Sequence, residues 1–97
     1  MKTIIESISS KPAILVHFFT SWCGTCNVLK PELEKFSSNI SHTYPVIDVN
    51  LDQDSHIVSA YKIKTMPTLI LFKRGKEVWR HEGLINAEQL DREIGDW

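Results

Sequence analysis

The residues of this chain best suited to covalent chemistry are Cys23 and Cys26, in the segment Trp22-Cys23-Gly24-Thr25-Cys26. They follow an apolar run, Ala13-Ile14-Leu15-Val16-His17-Phe18-Phe19, and open a stretch with helical character from Asn27 to Phe36. Residues at i and i+3 share one face of a helix, so the two sulfurs come within reach of a disulfide. Cys23 falls at the helix N-terminus, where unpaired N–H groups and the helix dipole favour a thiolate over a thiol. No third cysteine competes for either sulfur.

The rest of the composition narrows the setting. A chain of 97 residues is one domain, residues 1–97, large enough for a modest core. Net charge is −1 with both signs interspersed, which gives no footprint for nucleic acid and no basic face for a membrane. No apolar stretch approaches a membrane span, and Glu6 interrupts the start of anything resembling a signal peptide. The expectation is a cytoplasmic protein. In that compartment a lone C-x-x-C points to catalysis or metal binding rather than to a structural staple.

The elements that must position the cysteines are legible in outline. Residues 2–9, with Ile4, Ile5 and Ile8, suit a short amphipathic helix, with a short edge strand as the alternative. Residues 13–19 read as a strand covered on both faces. A helix over 24 to 37 takes Val28, Leu29, Leu33 and Phe36 as its buried stripe, and Pro31 inside it predicts a kink. Residues 44–50 read as a second strand. Asp54 and Ser55 offer caps for a short helix through Tyr61. Residues 68–73 form a third strand, and Arg74-Gly75 turns it into Glu77-Val78-Trp79-Arg80-His81 as a hairpin. Asn86, with Gln89 three residues on, resembles a capping box for a last helix through Ile94. Two βαβ crossovers predict parallel neighbours, and the hairpin adds antiparallel ones.

With these motifs assembled, the chain resembles the thioredoxin family from about Lys11 to Ile94. Ala13-Ile14-Leu15-Val16 leads into Trp22-Cys23-Gly24-x-Cys26. Pro31 stands where the family kinks its active-site helix. Met66-Pro67-Thr68 occupies the place of its cis-proline loop, Phe72-Lys73-Arg74-Gly75-Lys76 resembles its hairpin turn, and Gly83 precedes the last helix. The resemblance implies an α/β thioredoxin fold with a central four-stranded mixed sheet flanked by helices. About twelve residues precede the first core strand, too few for the family's usual first strand. Four positions depart from the pattern. Thr25 replaces a proline and Phe19 a tryptophan, while His17 stands for a buried aspartate and Asp48 for the lysine that partners it.

The chemistry implied by the resemblance is thiol–disulfide exchange, with Cys23 as nucleophile and Cys26 as resolving thiol. A disulfide serving only as a staple would constrain the unfolded chain little, because the loop it closes is so short. His17 is then a candidate proton acceptor for Cys26, with Asp48 holding its tautomer; a core histidine satisfied by Asp48 is the plainer alternative. The threonine at Thr25 adds donors near the Cys23 sulfur and predicts a less reducing couple than proline would give. Trp22, Gly24, Thr25, Met66, Pro67, Gly83 and Leu84 would line a shallow groove for a client, with a cis bond before Pro67. Trp79 is expected to pack, and Trp97 to be mobile.

The implied partners are disulfide-containing client proteins and a reductase or low-molecular-weight thiol as electron donor. The chain is expected to be a monomer, with no cofactor beyond the Cys23–Cys26 disulfide. Within the same chemistry an oxidase or isomerase role is the alternative direction. A thioredoxin-fold binding or chaperone module is a further alternative. A metal-binding module would need four ligands, and His17, His42, His56 and His81 are scattered rather than spaced as a site.

Overall fold

The computed structural model describes residues 8–9, 11–38, 44–53 and 56–95. Their elements are β1 (Ala13–Phe19), α1 (Gly24–Ser37), β2 (Val46–Asn50), α2 (His56–Ala60), β3 (Thr68–Lys73), β4 (Lys76–Glu82) and α3 (Ala87–Ile94). Residues 8–9 are also helical. The remainder of the element expected over 2–9, the caps Asp54 and Ser55, His42 and Trp97 lie outside the described residues.

The four strands form one mixed sheet in the order β2-β1-β3-β4. β1 is parallel to β2 and antiparallel to β3, and β3 is antiparallel to β4. Only the first of the two expected crossovers therefore yields a parallel pair. The second segment contains a helix of five residues, about 7.5 Å long, against about 23 Å for a strand the length of β1. It does not traverse the sheet. β2 ends where Asn50 pairs with Phe19, and β3 begins where Thr68 pairs with Phe18, at the same end. β3 must then run back along β1.

Strand alternation splits the core into two layers. Ile14, Val16, Phe18, Ile70 and Phe72 face one side and meet Ile57 of α2 and Ile8. Leu15, Leu69 and Leu71 face the other side, against Leu29, Leu33 and Phe36 of α1 and Leu90 and Ile94 of α3. On α1 the buried set is Cys26, Leu29, Leu33 and Phe36. Val28 is not part of it and stands 59% exposed. Successive helical residues are about 100° apart, so with Leu29 at the centre of the stripe Val28 rotates out of it. The helix continues through Pro31.

Local signals explain the ends of the elements. Arg74 (φ 52°) and Gly75 (φ 84°) both take positive φ, the two-residue hairpin geometry that matches strand twist, and Lys73 pairs with Lys76 across it. A register shift between Leu71 and Phe72 marks a bulge in this hairpin. Asn86 caps α3 by accepting the Gln89 N–H at 2.8 Å. The reciprocal half of the capping box is not formed, because the Gln89 amide donates forward to Glu93 at 2.7 Å instead.

Candidate active site

The turn after β1 delivers Cys23 to the start of α1. Its N–H donates to Thr20 O at 3.2 Å, and with φ −88° and ψ 106° Cys23 is the N-cap residue itself. The capping acceptor is therefore a sulfur. Cys23 Sγ accepts the Cys26 N–H at 3.2 Å and lies 3.4 Å from Thr25 Oγ1. Cys23 and Cys26 form a disulfide across a Cα–Cα distance of 5.4 Å. Cys23 retains 9% of its surface and Cys26 3%, so the first sulfur is the more accessible. Once Cys23 is a thiolate it can only accept, and the Thr25 hydroxyl becomes its donor.

A direct expectation attaches to Thr25. Thr25→Pro removes the hydroxyl and one N–H near the sulfur, so the thiolate loses stabilisation and the couple becomes more reducing. A hydrogen bond to a charged group worth about 1.5 kcal/mol corresponds to a potential about 30 mV lower. Equilibration with a glutathione buffer measures the shift; an unchanged or higher potential would count against the hydroxyl.

Behind Cys26, β1 and β2 place His17 opposite Asp48. His17 alternates with Val16 and Phe18 and so faces the α1 layer, where it is only 2% exposed. Its Nδ1 lies 3.0 Å from Asp48 Oδ1, and Phe19 stacks on the ring at 5.4 Å between centroids. The hydrogen bond from His17, aided by the positive charge of Lys30, holds the Asp48 carboxyl below its usual range despite partial burial. An ionised carboxylate accepts only, so the neutral imidazole carries its proton on Nδ1 and leaves Nε2 as the lone-pair nitrogen. Nε2 is buried, with no hydrogen-bond partner among the described residues. His17, Phe19, Cys26, Asn27, Lys30 and Asp48 line a cleft of about 50 Å³, room for a water molecule.

Asp48 also makes a pH prediction. A carboxyl whose folded pKa lies below its unfolded value of about 3.9 contributes stability above that value. The contribution is lost as pH falls through the folded pKa. Asp48→Asn is therefore expected to unfold at lower denaturant than wild type at pH 7, with the gap between the two midpoints narrower at pH 3. Midpoints that stay equally far apart at both pH values would refute the linkage.

Around the disulfide, Trp22 is 79% exposed and its indole donates to the Asp52 carboxylate. Asp52 also accepts the Ser21 N–H at 2.9 Å and the Ser21 hydroxyl, and these bonds lower its pKa. The Met66–Pro67 peptide is cis. Because Thr68 pairs with Phe18, this loop sits at the sheet end from which the Cys23 turn departs. Gly83, at φ +94°, donates its N–H to Pro67 O at 2.9 Å, and Leu84 beside it is half-exposed. The structure thus gathers His17, Asp48 and Cys26 around one cleft, and brings Gly83 to Pro67. Gly24 has open space where a side chain would stand. Trp79 packs on the α1 and α3 layer and donates to Glu93 at 3.1 Å. Asp52, Asn27 and Lys30 belong to no motif; the only local signal for Asp52 is the polar turn Asn50-Leu51-Asp52 at a strand end. Among the described residues no group of three or more His, Cys, Asp or Glu is placed to hold a metal. No helix among them is long and apolar enough to cross a membrane.

A mixed sheet carrying a Cys-Gly-Thr-Cys disulfide at a helix cap, beside a cis-proline loop, defines a thiol–disulfide oxidoreductase of the thioredoxin fold. The family model described as Thioredoxin matches residues 2–96. A thioredoxin-like protein of Synechocystis is 38% identical over 89% of this chain and 81% of its own length. Thioredoxin of Chlamydia pneumoniae is 39% identical over 88% of this chain and 82% of its own. The chloroplastic Thioredoxin Y of Oryza sativa is 36% identical, and there the match covers 51% of the relative. The structure of Plasmodium falciparum thioredoxin superposes with a TM-score of 0.82 at 30% identity, over 94% of this chain and 87% of that one. The chain belongs to the thioredoxin family.

Proposed function

We propose that this protein, as a single domain of residues 1–97, reduces disulfides of client proteins by dithiol exchange. The observation that carries this reading is the Cys23 sulfur acting as helix cap, receiving the Cys26 N–H with Thr25 Oγ1 nearby. Those contacts favour the thiolate, the form that attacks. Cys23 Sγ forms a bond to one client sulfur, the client disulfide breaks, and the departing client thiolate takes up a proton. Cys26 then loses its proton to His17 Nε2 and attacks Cys23 Sγ. The Cys23–Cys26 bond forms, the mixed disulfide breaks, and the second client thiol leaves. Two electrons pass to the client.

His17 serves as proton acceptor and Asp48 as the residue that fixes its tautomer, with a water in the cleft able to bridge Nε2 and Cys26. Trp22, Gly24, Thr25, Gly83 and Leu84 flank the client, whose extended backbone pairs beside Met66 and Pro67. A reductase or a low-molecular-weight thiol returns two electrons to the disulfide, and no other cofactor takes part. The protein acts as a monomer in the cytoplasm. The Thr25 hydroxyl beside the nucleophile also favours a second reading, in which a raised potential lets the same couple act as oxidase or isomerase.

The test is turnover. Reduced protein with a thiol donor is expected to reduce the disulfides of insulin, and Cys23→Ser to abolish the reaction. Wild-type protein that gives no rate above the donor alone would refute the reading.

A further inference from the structure

A second cleft, of about 110 Å³, adjoins the one that holds His17 and Cys26. It opens between α1 and β2 and is lined by Lys30, Leu33, Glu34, Ser37, Val46 and Asp48. Lys30 and Asp48 line both clefts, so the two side chains stand where the inner one meets the outer. Asp48 keeps 46% of its side-chain surface there, against 3% for His17.

Helix geometry brings Lys30 to this place. It follows Cys26 by four residues on α1, and residues at i and i+4 lie one above the other on a helix. Its backbone stem needs no burial, since the residue is exposed. Among the described residues it forms no ion pair at contact distance. Its charge nevertheless reaches Asp48 across the cleft.

Besides Cys26, the groups of the two clefts that can carry charge are His17 from β1, Asp48 from β2, and Lys30 and Glu34 from α1. Ionising Cys26 for the resolving attack places a second negative charge beside Asp48, and like charges resist this. The imidazolium formed at His17 offsets one of the two. Lys30 is the other cation on the wall of the inner cleft, whereas Glu34 lines only the outer one.

We propose that Lys30 is a positioning residue for the resolving step, its cation balancing the negative charge that appears when Cys26 ionises beside Asp48. The proposal rests on the exchange reading above. It concerns the second sulfur rather than the first, because Cys23 does not line the cleft.

Two opposed trends set the size of the effect. A thiol about one pH unit harder to ionise has about tenfold less thiolate at neutral pH. The more basic thiolate is also the better nucleophile, with a Brønsted coefficient of about 0.4 to 0.5, which returns about threefold. The net loss is about threefold. Once both thiols are ionised only nucleophilicity differs, so the protein without the cation becomes the faster one.

A dipyridyl disulfide tests this, because it frees one coloured thione when Cys23 attacks and a second when Cys26 resolves. Rapid mixing with reduced protein separates the two steps. At neutral pH, Lys30→Met is expected to slow the second release about threefold and Lys30→Glu about tenfold, with the first release changed less. Lys30→Arg keeps the charge and should stay within about twofold of wild type. The pH profile of the second release should move up by about one unit in Lys30→Met and cross that of wild type at alkaline pH. Added salt should slow the second step of wild type and leave that of Lys30→Met unchanged. A Lys30→Met profile that coincides with wild type would overturn the proposal, as would equal slowing in Lys30→Met and Lys30→Arg. An effect on the first release as large as on the second would place the charge on Cys23 and also overturn it. Wild-type protein that frees one thione or none would instead count against the exchange reading and remove the basis of this one.

Discussion

Cys26→Ser is expected to halt at the client-bound mixed disulfide and to lower turnover by about a thousandfold or more. A hydroxyl at this position remains protonated and does not attack a disulfide sulfur, whereas a thiol reaches its thiolate within about two pH units of neutrality. Cys26 is buried inside the first turn of α1, and serine differs from it by one atom, so the fold of the reduced protein should change little. Cys23 keeps its place as helix cap and its contact with Thr25, and so retains its reactivity. Incubation with an oxidised client should therefore build up a covalent adduct, visible by mass on a non-reducing separation and released by excess thiol. Cys23→Ser should give none. An adduct that forms through Cys26 in Cys23→Ser as readily as through Cys23 in Cys26→Ser would reverse the assignment of nucleophile and resolving thiol.

The second large effect is expected at His17. His17→Ala removes the buried lone-pair nitrogen of a ring that lines the Cys26 cleft, and positioned general bases contribute about 10²- to 10⁴-fold. We expect the release of client thiol from the mixed disulfide to slow about 100-fold at neutral pH, with the first attack by Cys23 much less affected. The pH dependence of release should change with the loss of the proton acceptor. Added imidazole should restore part of the rate in the small variant, because the vacated space adjoins the cleft. Asp48→Asn should have a weaker effect of the same kind, because it leaves Nδ1 free to lose its proton and changes the tautomer. Release that keeps both its rate and its pH dependence in His17→Ala would reduce His17 to a core residue satisfied by Asp48. The potential of His17→Asp is the companion measurement. A buried carboxylate in place of a neutral ring opposes the Cys26 thiolate, and the couple should become more reducing.

Most of the site was legible because its signals are local. The cis bond before Pro67 was expected from the family resemblance, and the start of a helix at Cys23 depends on a few consecutive residues. The hairpin turn and the cap at Asn86 were legible for the same reason. What escaped depends on contacts between distant segments. The antiparallel course of β3 follows from where the connection after β2 returns, and residue periodicity does not encode that. Val28 fits the apolar pattern of α1 and was assigned to the buried stripe. Its true orientation emerges only once Leu29 is centred against Leu15 and Leu71. Lys30 and Asn27 belong to no sequence motif, and their place beside Cys26 requires β2 to lie beside β1. The capping box failed for a local reason, since Glu93 lies one turn further and competes for the Gln89 amide.

The backward run of β3 has a consequence for how the molecule can be handled. The Cys23 turn, the turn after β2, the cis-proline loop and Gly83 all emerge at one end of the sheet. The Arg74–Gly75 hairpin closes the other end, where Arg74 N–H bonds Pro12 O at 3.1 Å. The two ends are separated by the length of β1, about 23 Å. One end works on sulfur and the other is a handle. A linker, a surface anchor or a fused domain attached at the hairpin would leave the sulfur end free to meet its clients.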